Sequence, residues 1–422
     1  MKKSLLALAL SASALVFGAQ GAAAQDCEIN VGSVLSITGS MAAIGSSIGN
    51  AGALAVEHFN EAGGVAGCKV NFVLRDDQGT PNVGVDAAKT LVEIEKAPLL
   101  LGAIQSGISL PILTSVSVPS KVTQISCCSS APSFTALAEE GGTDGYFFRT
   151  LPTDKPQAVV LASIAAQKGY KRIAIIHVNS DYGNSLAKNF KEAAEGMGVE
   201  VVNTVAYNQE QASYRAEVNA ALQGDPDSLF LVAFPADGAT AAREWISFGG
   251  SQNMLLSNAL RADEFVESVG AKFLTKALGI DNAQTEGDSV EAFNAAWKEK
   301  YGEDPNGPGL HVMYDAAAVG LLAMEQAGKP DGTAIRDEVR KVTGGDGEIV
   351  FPGVDGFKKA KALIAEGKPV RYVGATGPIT FDSNGDVTGP YLIWGVSEDG
   401  ELTVEDKWDM ARVSELMAKT EK

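Results

Sequence analysis

Two hydrophobic patterns alternate along the chain. Short, continuous runs of β-branched and aliphatic residues are followed by longer stretches in which apolar positions return at helical spacing. The first pattern fits strands buried on both faces, the second amphipathic helices. Glu28–Ile37 reads as a buried strand, and Ile44, Ile48, Ala51, Leu54 and Phe59 place a helix after it, stopped at Gly63-Gly64. A strand over Lys69–Leu74, a helix over Asn82–Glu95, a strand over Pro98–Ala103, a helix over Ser106–Ser117 despite Pro111, and a strand over Val122–Ser126 follow.

The unit then repeats. Strands are predicted over Ile173–Val178, Glu200–Ala206, Ser228–Phe234 and Met254–Ser257, with helices over 183–197, 212–222, 236–248 and 262–270. Tyr146–Thr153 joins the two series. After about residue 281 the pattern changes to consecutive helices over 288–301, 309–328 and 332–342, and late strands over Ile379–Phe381 and Tyr391–Val396 close the chain. Apolar strands alternating with helices predict an α/β fold whose parallel sheets are covered on both faces. The two halves read as two lobes of one fold.

The N-terminus is of another kind. Lys2 and Lys3 precede a short apolar stretch over Leu5–Phe17, and Ala22-Ala23-Ala24 forms a small-residue cleavage site. This is the pattern of an export signal occupying residues 1–24, with export to the periplasm expected. An uncleaved anchor is the alternative, and the apolar stretch is short for a bilayer. Removing 24 of the 422 residues leaves 398 and takes away Lys2 and Lys3, so the net charge moves from −18 to −20. That length suits two domains. The acidic balance argues against nucleic acid, which needs clustered Lys and Arg. Three histidines and no C-x-x-C pair argue against a zinc cage. No G-x-G-x-x-G follows a strand, so no dinucleotide is expected, and no cofactor or metal is assigned.

In a parallel α/β sheet, ligands sit at the carboxyl ends of strands, beside helix N-termini. In the first half these edges are Ser36–Gly45, Asp76–Gly79, Gly102–Gly107 and Ser126–Pro132, all rich in Ser, Thr and Gly. In the second they carry Asp181-Tyr182, Phe234-Pro235 and Asn258. Hydroxyls and backbone N–H groups on one side and aromatic rings on the other suit a small organic anion held between two lobes.

At these stretches the chain resembles the type I periplasmic substrate-binding proteins of ABC importers, in the leucine/isoleucine/valine-binding family. The matching segments are SITGSMAAIG at 36–45, NEAGGVAG at 60–67, RDDQGTP at 75–81, LGAIQSG at 101–107, ISCCSSAPSFT at 125–135 and FFRTLPTD at 147–154. In the second half they are RIAIIHVNSDYGNSLA at 172–187 and PITFDSNGDVTG at 378–389. The resemblance implies two Rossmann-like lobes, a three-segment hinge and closure on a ligand. It divides the chain into 25–148 plus 282–388 for the first lobe and 149–281 plus 389–422 for the second. It implies that Ser106, Cys128 and Ser130 hold the ligand's polar end. It also implies that Tyr182 and Phe234 cover the ligand from the second lobe and that Ile44 packs on it. Asn258 stands where amino-acid binders of the family carry a carboxylate for the α-ammonium. Either a nearby acid such as Asp181, Asp237 or Asp263 substitutes, or the ligand lacks an amine. The partners implied are a small carboxylate-bearing solute and a membrane permease, with the receptor itself a monomer.

Other features have plainer explanations. Gly45–Gly49 matches G-x-S-x-G around Ser47, but the pattern lies beyond a loop and not directly after a strand, so a serine hydrolase is only a rival. A sensory binding protein is the second rival. His58, His177 and His311 are read as structural. Asp382, Asn384 and Asp386 resemble a calcium loop, but Ile393 stands where the bidentate Glu is needed, so a hairpin turn is expected. Cys27 and Cys68 open two strands that would be parallel neighbours in this topology, so a disulfide is expected there. Cys127-Cys128 is read as two small buried residues, with a vicinal disulfide as the alternative, because adjacent Cα atoms sit only about 3.8 Å apart.

Overall fold

The computed structural model describes residues 27–420. Five strands form the first sheet: β1 (Glu28–Leu35), β2 (Lys69–Asp76), β3 (Leu99–Gly102), β4 (Thr123–Ser126) and β5 (Phe147–Arg149). They are all parallel, in the order β2-β1-β3-β4-β5. Five more begin the second sheet: β6 (Arg172–Val178), β7 (Glu200–Tyr207), β8 (Ser228–Val232), β9 (Met254–Leu256) and β10 (Leu278–Asn282). Their order, β7-β6-β8-β9-β10, repeats that of the first sheet strand for strand. The similarity between the two halves of the sequence is thus a repeated topology.

The strand cores explain themselves. Residues Ile173–Val178 are buried on both faces, and β-branched side chains favour the extended backbone. Helix starts are set locally. Ser180 caps the helix Asp181–Gly196, its hydroxyl accepting from the Gly183 N–H, and Pro235 opens the helix Pro235–Ser247. The helix Ser106–Ile112 runs on through a wider turn over Leu113–Ser117, which absorbs Pro111.

The remainder departs from expectation in places. A small sheet of β11 (Glu348–Val350), β12 (Val370–Gly374) and β13 (Gly377–Pro378) was not legible in the sequence. Ile379–Phe381 is not a strand. Its apolar residues are buried by packing while the backbone pairs with no neighbour, so apolar alternation there reports burial and not a ladder. Two further strands, β14 (Tyr391–Val396) and β15 (Leu402–Trp408), return antiparallel to the open edge of β10, and the helix Met410–Thr420 follows. The Asp382–Asp386 segment is a turn that joins no paired strands. Asp382 accepts from the N–H groups of Asn384 and Asp386, and Asp386 turns inward. The chain passes from sheet to sheet after β5, after β10 and before β14. The helix Leu310–Ala327, buried along most of its length, packs on the first sheet and on the helix Ala42–Glu61.

Cys27 and Cys68 are joined, with Cα atoms 4.9 Å apart, beside the Glu28–Lys69 pair at the start of β1 and β2. Cys127 and Cys128 are also joined. This corrects the reading of two unbonded residues: both side chains are buried or nearly so, and the tight turn after β4 turns them toward each other. No helix among the described residues is long and apolar enough to cross a membrane.

Candidate functional site

Both sheets share a strand order in which the connections reverse direction between the first and third strands of each unit. That reversal opens a crevice at the carboxyl ends of the strands. The two crevices face each other across one cavity. From the first sheet, Ser106 follows β3 and Cys128 follows β4. Ile44 and Ile48 come from the helix after β1. From the second, Tyr182 follows β6, Phe234 follows β8 and Asn258 follows β9.

The lobes touch across this cavity. Gln209, after β7, donates from Nε2 to Gln105 Oε1 at 3.2 Å and accepts at Oε1 from the Ser40 hydroxyl at 2.9 Å. One second-lobe side chain therefore holds two first-lobe residues.

The periplasmic binding protein family matches the chain over residues 28–400. The chain belongs to that family. The substrate-binding protein BasB of a chemotactic signal transduction system in Halobacterium salinarum is 28% identical over 384 residues, 89% of this chain and 89% of that protein. Leu/Ile/Val-binding protein homolog 3 of Brucella melitensis is 26% identical over 384 residues, 90% and 94% of the two chains. The crystal structure of the leucine-binding protein LivK of Thermotoga maritima superposes with a TM-score of 0.75 at 22% identity, covering 91% of this chain and 99% of that one. The fold is that of a type I periplasmic binding protein.

In this periplasmic binding protein the first-lobe edge is pinned from beneath. The Ser126 hydroxyl donates to the Ala103 carbonyl at 2.9 Å and accepts from the N–H groups of Cys128 and Ser129. The Cys128 amide is thereby committed within the floor. Arg149, fully buried, pairs with Asp386 at 2.6 Å and donates to the carbonyls of Ser129 and Ala131. The Ser106 hydroxyl accepts from the Ala131 N–H at 3.3 Å, which leaves its own proton to donate. Ser130 does not line the cavity. Its carbonyl accepts from the Asp154 N–H at 2.9 Å, tying the floor to the first turn of the helix Asp154–Lys168. Burial pushes the Asp154 carboxyl up to about 6, opposed by the hydroxyls of Ser130 and Ser185.

The second-lobe edge is built from rings and an amide. Tyr182 and Phe234 stack, with centroids 5.8 Å apart and planes 19° from parallel. The Tyr182 hydroxyl donates to Asn258 Oδ1 at 2.8 Å, and burial holds the phenol well above its ordinary range, so it stays protonated. Gln157 Nε2 donates to the same oxygen at 3.3 Å.

Sequence reasoning missed the third wall, contributed by Asp281–Gln284 at the end of β10, by Gly307–Gly309 and by His311. Asp281 pairs with Arg261 at 3.3 Å and accepts from the Asn282 N–H, and burial, opposed by Arg261, pushes it up to about 6. His311 was read as structural, but it lines the cavity. Burial, with Arg261 nearby, lowers it to about 3, so the ring is neutral, and its Nε2 pairs with Asn294 Oδ1 at 3.0 Å. The other two histidines lie within the lobes: His58 Nδ1 pairs with the Tyr314 hydroxyl at 2.7 Å, and His177 Nδ1 with the Val178 carbonyl at 3.2 Å.

Ser47 stands within the helix Ala42–Glu61, half-buried, its hydroxyl directed to the Ala43 carbonyl one turn back. That is not the strand-to-helix elbow a nucleophile needs. Among the described residues no three His, Cys, Asp or Glu side chains converge as metal ligands.

Proposed function

We propose that this chain is the solute receptor of an ABC importer. It captures an amino acid or related small carboxylate between two closing lobes and delivers it to a membrane permease. One observation carries the reading: the facing crevices of two sheets with the same strand order form a single cavity, bridged at its rim by Gln209. Ser106 offers a donor to the ligand's acceptor end, with Cys128 beside it, while Tyr182 and Phe234 cover the ligand from the second lobe. Closure is a population shift: the ligand contacts both lobes only in the closed form and so stabilises it. The chain acts as an exported monomer, with the signal removed near Ala24, and as a binder without chemistry of its own.

The test uses the purified mature chain. Denaturation should release a small molecule identifiable by mass spectrometry. Adding that molecule back to solute-free protein should lower the radius of gyration measured by small-angle scattering. A chain that releases nothing, and shows no calorimetric binding of amino, keto or aromatic acids, would sink the proposal.

A second reading is sensory, and the likeness to a chemotactic substrate-binding protein favours it. Capture in the cavity is common to both readings. They part at the partner, so a pull-down with the closed form should recover either a permease or a membrane signal transducer.

A further inference from the structure

Resting on the receptor reading above, we infer that the solute is an apolar carboxylate without an ammonium group, an oxo acid or arylcarboxylate and not an α-amino acid. The inference comes from where the hydrogen-bonding capacity of the cavity wall is already spent.

An ammonium brings three donors and a positive charge into a desolvated site, so it needs acceptors, at least one of them anionic. Asn258 cannot serve. Its amide oxygen already accepts from the Tyr182 hydroxyl at 2.8 Å and from Gln157 Nε2 at 3.3 Å. Tyr182 is a neutral phenol and Gln157 an amide donor, so together they fix the Asn258 amide with its oxygen engaged and its NH₂ free. This edge of the second lobe therefore donates. Gln157 acts here as a positioning residue, since it works through Asn258.

The other acids do not substitute. Asp281 is the single carboxylate among the residues that line the cavity, and it is held by Arg261 and by the Asn282 N–H. None of Asp181, Asp237 and Asp263 lines the cavity, and Asp237 is engaged by the Tyr214 hydroxyl at 2.7 Å. His311 is neutral. The free donors include the Ser106 hydroxyl on one lobe and the Asn258 amide on the other, which suits an acceptor-rich carboxylate or oxo group. Much of the remaining wall is apolar, with Met41, Ile44, Ile48, Ile104 and Phe234 beside Cys128. Such a wall rewards an aliphatic or aromatic body, and the buried Asn282 Oδ1, which has no partner, is a neutral acceptor that cannot balance an ammonium's charge.

The experiment titrates solute-free wild-type protein calorimetrically with matched pairs that differ at the amine: leucine against 4-methyl-2-oxopentanoate, and phenylalanine against phenylpyruvate, with benzoate as a fifth probe. The amine-free member of at least one pair is expected to bind about 30-fold more tightly or better, the scale of leaving a buried charged group without its partner. An amino acid that binds as tightly as its oxo acid overturns the inference and leaves the receptor reading standing. Failure of all five probes removes the small-carboxylate receptor reading, and the inference with it. Two variants examine the cause. Asn258→Asp should shift the preference toward the amino acid by about tenfold or more. Gln157→Leu, which frees the Asn258 amide to turn over, should narrow the preference while the amine-free acid still binds. An unchanged ratio in both variants also overturns the inference.

Discussion

The two edges that face the cavity are built by the same topology and differ in almost every other respect. The turns after β3 and β4 on the first-lobe edge are rich in small residues, and their shape is settled by groups behind them: the Ser126 hydroxyl, the paired cysteines, and a fully buried arginine that reaches two carbonyls of the floor. The second-lobe edge presents large side chains, two stacked rings and an amide. A receptor needs one surface that is finished before the ligand arrives and one that completes it on closure. Under the receptor reading proposed above, the two duties fall to different lobes.

The comparison breaks first at Arg149. Replacing it with methionine keeps much of the volume but leaves Asp386 buried without its partner, so stability should fall by about 3–5 kcal/mol, read by urea unfolding. A loss below about 1 kcal/mol would mean that the floor is not held from beneath. Next comes the cover. Tyr182→Ala removes most of a large buried ring at about 25 cal/mol per Å², and solute affinity should drop on the order of 100-fold by calorimetry.

A third, smaller effect belongs to the junction of the two edges. Asp154 is held to the floor through Ser130, and its carboxyl titrates at about 6 in the folded chain against an ordinary value of 3.8. Between those values the folded state keeps a proton that the unfolded state has released. Stability therefore declines as pH rises through this window, and the full cost is present above about 6. Asp77 and Asp281, also raised to about 6 by burial, add to the slope. Calorimetric Tm should be higher at pH 5 than at pH 7, and Asp154→Asn should flatten the difference by on the order of 1–3 kcal/mol. A variant slope equal to wild type would remove Asp154 from the account. Smallest is the rim: Gln209→Ala gives up two uncharged hydrogen bonds across the lobes and should weaken solute binding several-fold, about 1 kcal/mol, mainly through a faster off-rate in stopped-flow.

These edges were unequally legible. Ser106, Cys128, Tyr182, Phe234 and Asn258 each stand just beyond a continuous apolar run, so strand–helix alternation alone puts them at a carboxyl edge. Asp281 escaped because β10 is short and follows a glycine and a brief turn, with no hydrophobic period to announce it. His311 escaped for a different reason: it belongs to a helix far along the chain, whose approach to the cavity is set by packing. The role of Gln157 is also tertiary, because nothing in its neighbourhood along the chain points to Asn258, 101 residues away. Cys127-Cys128 shows a further limit. Its position in the pocket floor followed from sequence, while its covalent state depended on the turn after β4.

Neither lobe is a continuous piece of chain. The first sheet is covered by the helix Leu310–Ala327, and the second is finished by β14 and β15 near the C-terminus. A polypeptide emerging from the ribosome therefore cannot complete even one lobe until about its last third has been made. Such high contact order slows folding and keeps a growing chain open. If residues 1–24, which lie outside the described residues, act as the export signal their sequence suggests, this delay would leave threadable chain during the interval when a translocation channel has to engage it.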